Sequence, residues 1–396
     1  MIILKHGGDI YTEGILKGKS LLDFSSNINP LGVPESFRDH IQEALESAIR
    51  YPDLQYRCLK EYIENYLQFS RKYFTENTEE DLNKKSALYE IKEKLSYRND
   101  KEKEKYLLYN NVNVRHLVLG NGAAEIIDLV ISCFKSICIV IPSFVEYELN
   151  ASKWGCEIEY SYLDVEMNYD YEDIALKLKK VEALIIGNPN NPNGGVIDKY
   201  KFKSILDYCE NNGKTIIIDE AFIEFTGKRN FSFLEEIEKY KCIFIIRALT
   251  KFYAMPGIRF GYGISKNKII IDKIKSKQNP WNINCFAETA VKYVLKDKNY
   301  IEESLQWIER EREFMYYRLK NVKIIGKAYK TYANFILCKI EGTSCEELYK
   351  FCLENGIIIR RCENFKGLSE NYIRLAIKDR KSNEKILELL HRTDFM

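Results

Sequence analysis

A chain of 396 residues with a formal net charge of +2 can bury a large core and is long enough for two units that share a cleft. The balanced charge gives no reason to expect nucleic acid or an acidic membrane surface as a partner, residues 1–20 lack the apolar core of a signal peptide, and no apolar run is long enough to cross a bilayer. The eleven cysteines form no Cys-x-x-Cys pair and have no histidine at ligand spacing, so buried free thiols in a reducing cytosol are expected rather than a metal or disulfide framework.

The chain opens with His6-Gly7-Gly8-Asp9, followed by Asp23-Phe-Ser-Ser-Asn27-Ile-Asn29-Pro-Leu-Gly32. Each stretch alone reads as a solvated terminus or a turn-rich connector. A helix is expected over roughly Ser36 to Arg50, broken by the Pro52 of Arg50-Tyr51-Pro52-Asp53. From Arg71 to Tyr106 about half the residues are charged, with both signs mixed and no Gly or Pro. That composition predicts a solvated helical excursion or partly disordered insertion without a catalytic role.

Strands and helices alternate after the insertion. Strand 116–119 leads through the turn Gly120-Asn-Gly122-Ala123-Ala124 into a helix over 125–134. A glycine-rich turn at the positive end of a helix offers backbone N–H groups to an anion, although a purely structural turn has the same pattern. Strands are expected at 137–141, 157–162, 183–186, 215–218, 242–246 and 260–264, with helices at 145–154, 171–180, 199–211 and 267–277 between them. This alternation predicts an α/β fold with a mostly parallel sheet covered on both faces. Amphipathic helices fill 285–320. The tail adds strands at 335–339, 357–361 and 372–377 and helices at 344–354 and the C-terminus, a smaller α+β unit.

Three polar motifs follow three of these strands: Asn188-Pro-Asn-Asn191-Pro-Asn-Gly-Gly195, Asp219-Glu-Ala-Phe222 and Leu249-Thr250-Lys251-Phe-Tyr-Ala-Met-Pro-Gly-Ile-Arg259. Their side chains therefore gather at one edge of one sheet, the ligand edge of open α/β folds. A lone lysine on a turn is ordinarily a surface residue. A lysine held among apolar neighbours instead loses solvation of its charged form, so its free amine can attack an aldehyde. Asp219 can hold a protonated pyridine nitrogen and Asn191 can donate to a ring oxygen, which together describe a pyridoxal phosphate site. Phe144, just past Pro142, can stack on a flat ring or simply fill the core. Arg360 and Arg374 sit among apolar strand residues and need an anionic partner, either an internal carboxylate or a bound anion.

These stretches resemble the fold-type I pyridoxal-phosphate enzymes of the histidinol-phosphate aminotransferase branch. The segments HGGDI, DFSSNINPLG, RYPD, NPWNIN, RRCENFKGL and YIRLAIK are most similar to the threonine-phosphate decarboxylases within that branch. The resemblance covers nearly the whole chain outside the insertion. It implies that Lys251 carries the cofactor, Asp219 keeps the pyridine nitrogen protonated, Asn191 contacts the ring oxygen and the substrate carboxylate region, and Phe144 stacks on the ring. It further implies a phosphate cradle from Gly122, Ala123, Ala124, Thr250 and Arg259, with Tyr51 reaching in from the second subunit of a homodimer. His6, Gly7, Asn27, Arg360 and Arg374 are implied to hold a small phosphorylated amino acid, with Arg374 on the carboxylate and Arg360 and the N-terminal loop on the phosphate.

The implied reaction is decarboxylation of O-phospho-L-threonine to (R)-1-aminopropan-2-yl phosphate for the cobalamin nucleotide loop. The rivals are a phosphoserine decarboxylase, a histidinol-phosphate-type aminotransferase, and a catalytically silent cofactor-binding or scaffold protein. Ala248 departs from the branch, where Ser begins the Ser-x-Thr-Lys motif. Asn193 replaces a usual Thr, and Phe222 matches the decarboxylases rather than the Tyr of the aminotransferases. The expected organisation is an N-terminal arm completing the small unit (1–45), a large cofactor-binding unit (46–281) and a small C-terminal unit (282–396).

Overall fold

The computed structural model describes residues 7–75, 116–227 and 231–392. His6 and the span 76–106 of the charged insertion lie outside the described residues. The short strand β1 is Leu22–Asp23. The central sheet has seven strands: β2 Leu117–Gly120, β3 Ser136–Ile141, β4 Glu157–Tyr162, β5 Ala183–Gly187, β6 Thr215–Asp219, β7 Ile243–Ala248 and β8 Gly261–Ile264. Their order across the sheet is β2-β8-β7-β6-β5-β3-β4. All neighbours pair in parallel except β8, which is antiparallel to both β2 and β7.

The apolar runs become central strands because both faces of the sheet are covered. Ile137, Ile139, Ala183, Ile185, Ile217, Phe244 and Ile246 pack with the helices Ala123–Ile131, Glu146–Lys153 and Lys268–Lys277. The alternate residues Cys138, Val140, Leu184, Ile186, Ile216, Ile218, Ile243 and Ile245 pack with Tyr171–Leu178 and Lys199–Asn211 on the opposite face. A period of two with both phases apolar is what a doubly covered sheet demands. Helix starts follow local capping: the side chains of Asp170, Asp198 and Asn267 each accept two first-turn N–H groups, and Ser344 forms a capping box with Glu347.

A second sheet comprises β9 Ile325–Ala328, β10 Phe335–Ile340, β12 Arg360–Arg361 and β13 Tyr372–Ala376, in the order β12-β13-β10-β9. Separately, β1 pairs in parallel with β11, Ile357–Ile358. The N-terminal segment is thus laced to the C-terminal part of the chain: Phe24 donates its N–H to the Ile358 carbonyl at 2.8 Å, and Ala376 donates to the Phe24 carbonyl at 2.9 Å.

Several elements differ from the sequence expectation. The single strand expected at 357–361 is two short ones, because Ile357–Ile358 serves β1 while Arg360–Arg361 pairs with β13. The helix expected at 36–50 is broken into Glu35–Arg38 and Ile41–Ser47; His40, at φ −116° and ψ 12°, leaves the helix to stack on Tyr293 at 3.5 Å. Strand β9 was not expected. Among the cysteines, Cys58 is exposed and Cys133 and Cys285 are half-buried, whereas the other eight are buried.

Candidate active site

Lys251 lies three residues past the end of β7, at the C-terminal edge of the parallel strands. Its carbonyl accepts the Asn29 N–H at 3.2 Å, and the Asn29 side chain donates to the Phe252 carbonyl at 2.8 Å and to the Ser304 hydroxyl at 2.8 Å. The N-terminal segment thereby pins the lysine turn. Burial pushes the Lys251 amine down to about 8, and the charges of Arg374, Arg259 and Lys378 add to the effect while Asp23 opposes it. Among the described residues the amine has no hydrogen-bond or ion-pair partner.

Asp219 ends β6, in register with Gly187 of β5 and Ile246 of β7. Its Oδ2 accepts the Tyr147 hydroxyl at 2.6 Å and its Oδ1 accepts the Ala221 N–H at 3.0 Å. Burial raises this carboxyl above the usual range, against the lowering by those two hydrogen bonds. No cation among the described residues is paired with it. The next residue, Glu220, is used structurally instead. It forms a buried ion pair with Arg247 at 2.9 Å and accepts the Phe233 N–H at 2.7 Å.

The asparagine-rich loop after β5 divides its labour. Asn188 bridges the Phe231 carbonyl and the Ile197 N–H, Asn190 donates to the Pro142 carbonyl and to Asn193, and Asn193 donates to the Met167 carbonyl. These three are buried and hold the loop. Asn191 accepts from Nη1 of Arg374, 183 residues away. Phe144, half-buried just beyond β3, meets Tyr147 edge-on at 5.8 Å. The chain runs outward from β3 to β4 but crosses to the other side for β5, β6 and β7, so Phe144 and Asn191 follow the two strands at the topological switch point.

The Gly120–Ala124 turn lies beside the lysine motif, because Gly261 pairs with both Gly120 and Ala248. Gly122 has φ +86° and caps the helix Ala123–Ile131 without a side-chain hydrogen bond. A Cβ at this position would overlap the guanidinium of Arg259. Arg259, itself at φ +58°, donates to the Pro256 carbonyl at 3.1 Å. A helix N-terminus and a guanidinium therefore adjoin without intervening side chains, a ready place for a phosphate. Thr250 is half-buried next to Lys251, and Ala124 on the first helical turn is exposed.

Arg360 and Arg374 pair directly across β12 and β13. Arg374 donates to the Ser25 carbonyl at 2.9 Å, its Nε is buried without a partner, and burial pushes the guanidinium down to about 10. Arg360 donates to Asn364 at 2.7 Å and lies over the Phe365 ring at 5.0 Å. Neither forms an ion pair among the described residues, so the internal salt-bridge alternative has no support there. Asn27 is 2% exposed and its Oδ1 has no partner. Gly7 packs on the Ser25 backbone near the Arg360 side chain.

Tyr51 stands apart. It is 79% exposed and its ring meets that of Trp281, with centroids 4.9 Å apart. Exposed Ile41, Leu45, Ile49 and Leu54 share this stretch of chain. Sequence reasoning missed Tyr147, Ser25 and Lys378. Tyr147 lies three residues beyond Phe144, on the first turn of the helix Glu146–Lys153, and that closeness in the chain was the signal available for it.

An amine with a lowered pKa, an anion cradle and, among the described residues, a buried carboxylate without a cation and two guanidinium groups without an ion pair are the complement of a phosphorylated heterocycle with an aldehyde and a basic nitrogen. The residues present fit pyridoxal phosphate. In comparisons, the family described as aminotransferase class I and II matches residues 89–392. A relative from Caldanaerobacter subterraneus subsp. tengcongensis, provisionally named threonine-phosphate decarboxylase, is 34% identical over 98% of this chain and 93% of its own. The threonine-phosphate decarboxylase of Salmonella typhimurium is 29% identical over 97% of this chain and 95% of its own. A solved structure of histidinol-phosphate aminotransferase from Clostridium acetobutylicum is 49% identical, covers 95% of this chain and 99% of its own, and superposes with a TM-score of 0.82. The chain belongs to the class I and II aminotransferase family and has its fold-type I architecture.

Proposed function

We propose that this chain is a pyridoxal-phosphate-dependent decarboxylase acting on O-phospho-L-threonine. The observation that carries the reading is the pair of buried arginines, Arg360 and Arg374, left without a carboxylate partner among the described residues. Both adjoin the N-terminal strip that also touches the lysine turn. Two fixed guanidinium forks suit a substrate with two anionic ends. The decarboxylase relatives, matched over nearly their whole length, support the same conclusion.

Pyridoxal phosphate, when bound, supplies an aldehyde and a conjugated ring that takes up the electron pair left behind by CO2. Lys251 would hold the aldehyde carbon, and its lowered pKa keeps a fraction of the amine free near neutrality. Asp219, supported by Tyr147, would hold a proton at the pyridine nitrogen, while Phe144 would flank the ring and Asn191 would meet its oxygen. Gly122, Ala123, Ala124, Thr250 and Arg259 would hold the cofactor phosphate. Arg374 orients the substrate carboxylate, and Arg360 with His6, Gly7 and Asn27 binds the substrate phosphate. The clamp of Arg374 on the carboxylate would fix which bond at Cα is aligned for cleavage, and so would select loss of CO2 over loss of the Cα proton.

Tyr51 contributes to the cofactor phosphate site of a second copy, and the exposed apolar residues around it form the interface of a homodimer. The 1–45 arm completes a small unit at 282–396 against a large unit at 46–281, a division supported by the pairing of β1 with β11. No described helix is long and apolar enough to cross a membrane, and the proposed site of action is the cytoplasm.

A second reading, amino transfer on histidinol phosphate, is favoured by the 49% identity to the Clostridium acetobutylicum protein. Purified holoenzyme given phosphothreonine is expected to release CO2 stoichiometrically with aminopropyl phosphate. Amino transfer from histidinol phosphate to 2-oxoglutarate, with no CO2 from phosphothreonine, would overturn the decarboxylase reading. Competition with phosphoserine tests the extra methyl, a difference on the order of 1–3 kcal/mol.

A further inference from the structure

Lys378 has no place in the scheme above, yet it lies two residues past the end of β13, and its side chain and that of Arg374 reach adjacent carbonyls, those of Ser26 and Ser25. Its backbone is fixed independently: its N–H donates to Asn383 Oδ1 at 2.9 Å, and its carbonyl accepts from Trp307 Nε1 at 2.9 Å and Asn383 Nδ2 at 2.8 Å. The half-buried ammonium donates to the Ser26 carbonyl at 3.2 Å. It makes no ion pair among the described residues. Arg374 grips the neighbouring Ser25 carbonyl, and the next residue along is Asn27, whose Oδ1 is buried and unpartnered. The acidic groups closest in influence are Asp23, on β1, and Asp379, next in the chain. Asp23 is already occupied by the N–H and hydroxyl groups of Ser25 and Ser26.

We propose that Lys378 is a positioning residue of the substrate site: beside Arg374 it clamps the Ser25–Asn27 backbone to the end of β13, and it adds one positive charge to the anion-binding cluster. The clamp fixes the spacing between Asn27 and Arg374, which no covalent connection of short range sets. The charge acts on the same cluster as Arg374, Arg259 and Lys251, where Asp23 opposes it and Asp379 lies next to Lys378 itself. A ligand bearing one anion too few leaves that cluster uncompensated, so Lys378 favours a multiply charged substrate over a singly charged one.

This inference rests on the reading of the site as one for a phosphorylated amino acid, and the test separates the two. Calorimetric titration of inorganic phosphate into holoenzyme, whose cofactor phosphate site is already filled, requires no turnover. Lys378→Met is expected to weaken phosphate at least about fivefold and to move the pH midpoint of the cofactor's visible absorbance upward, because a neighbouring positive charge is lost. Lys378→Arg is expected to restore both to within about twofold. Lys378→Gln carries the same expectation as Lys378→Met and serves if the latter does not fold. Phosphate affinity unchanged in the neutral variants would overturn the proposal. Absence of CO2 release by the wild-type enzyme would instead overturn the decarboxylase reading and leave this test standing.

Discussion

The hydroxyl of Tyr147 donates to Asp219 Oδ2 at 2.6 Å, from a helix on one face of the sheet to the end of a central strand. This bond opposes the burial that otherwise raises the Asp219 carboxyl. Tyr147→Phe keeps the ring and removes the donor, and a hydrogen bond to a charged group contributes about 1.5–3 kcal/mol. Cofactor affinity is therefore expected to fall about tenfold or more, read by titrating cofactor-free protein with pyridoxal phosphate. An unchanged dissociation constant would remove Tyr147 from the site.

Asp219→Asn preserves shape but not charge. With no carboxylate to hold a proton on the pyridine nitrogen, kcat is expected to drop about 100-fold or more while the unfolding midpoint stays near that of the wild type. Steady-state rates alongside thermal denaturation check both halves, and full activity would rule out the assignment.

The two arginines should be separable. Arg374→Lys loses the fork that spans Asn191 and the Ser25 carbonyl, and is expected to raise KM about tenfold for any amino-acid substrate. Arg360→Lys is expected to raise KM only for phosphorylated substrates. The measurement is KM for phosphothreonine against the inhibition constant of threonine; equal effects of both variants on both ligands would contradict the division of roles.

Glu224 gives a pH-dependent signature away from the chemistry. It is 5% exposed, its Oε2 has no partner, its Oε1 is 3.5 Å from the Tyr66 hydroxyl, and burial pushes it up to about 7, with Arg247 opposing and Glu220 adding. A carboxyl with a folded-state pKa above the unfolded value of 4.5 contributes stability that is fully present below about 4.5 and lost as pH rises through about 7. The shift corresponds to roughly 3 kcal/mol. Urea midpoints are expected to decline between pH 5 and pH 8 in the wild type and to flatten in Glu224→Gln. Equal slopes in the two proteins would refute the assignment.

The sequence made the central sheet legible because β3, β5, β6 and β7 are apolar on both faces and are bounded by the motifs that carry the polar groups. Position along the chain then placed Asp219, Asn191 and Lys251 at one edge, since parallel strands present the same end to the same side. What lay hidden was non-local. Strand β1 has two residues, too few for any periodicity, yet its pairing with β11 brings the Ser25 carbonyl to Arg374. The motif Asn188–Asn193 showed four amides, and only tertiary contacts distinguish the three that hold the loop from Asn191. The turn from β11 to β12 and the kink at His40 likewise depend on partners far away in sequence.

The lacing of residues 22–29 through the C-terminal strands also governs when this protein becomes competent during synthesis. The Arg374–Ser25 bond closes a loop of 349 residues, and the same N-terminal strip steadies the lysine turn through Asn29. Contacts of such separation are made late, after the entropy of closing the loop has been overcome. A nascent chain that has emitted its whole central sheet still lacks the wall of its catalytic cleft. That wall forms only when the last strand leaves the ribosome and residues 22–29 find it.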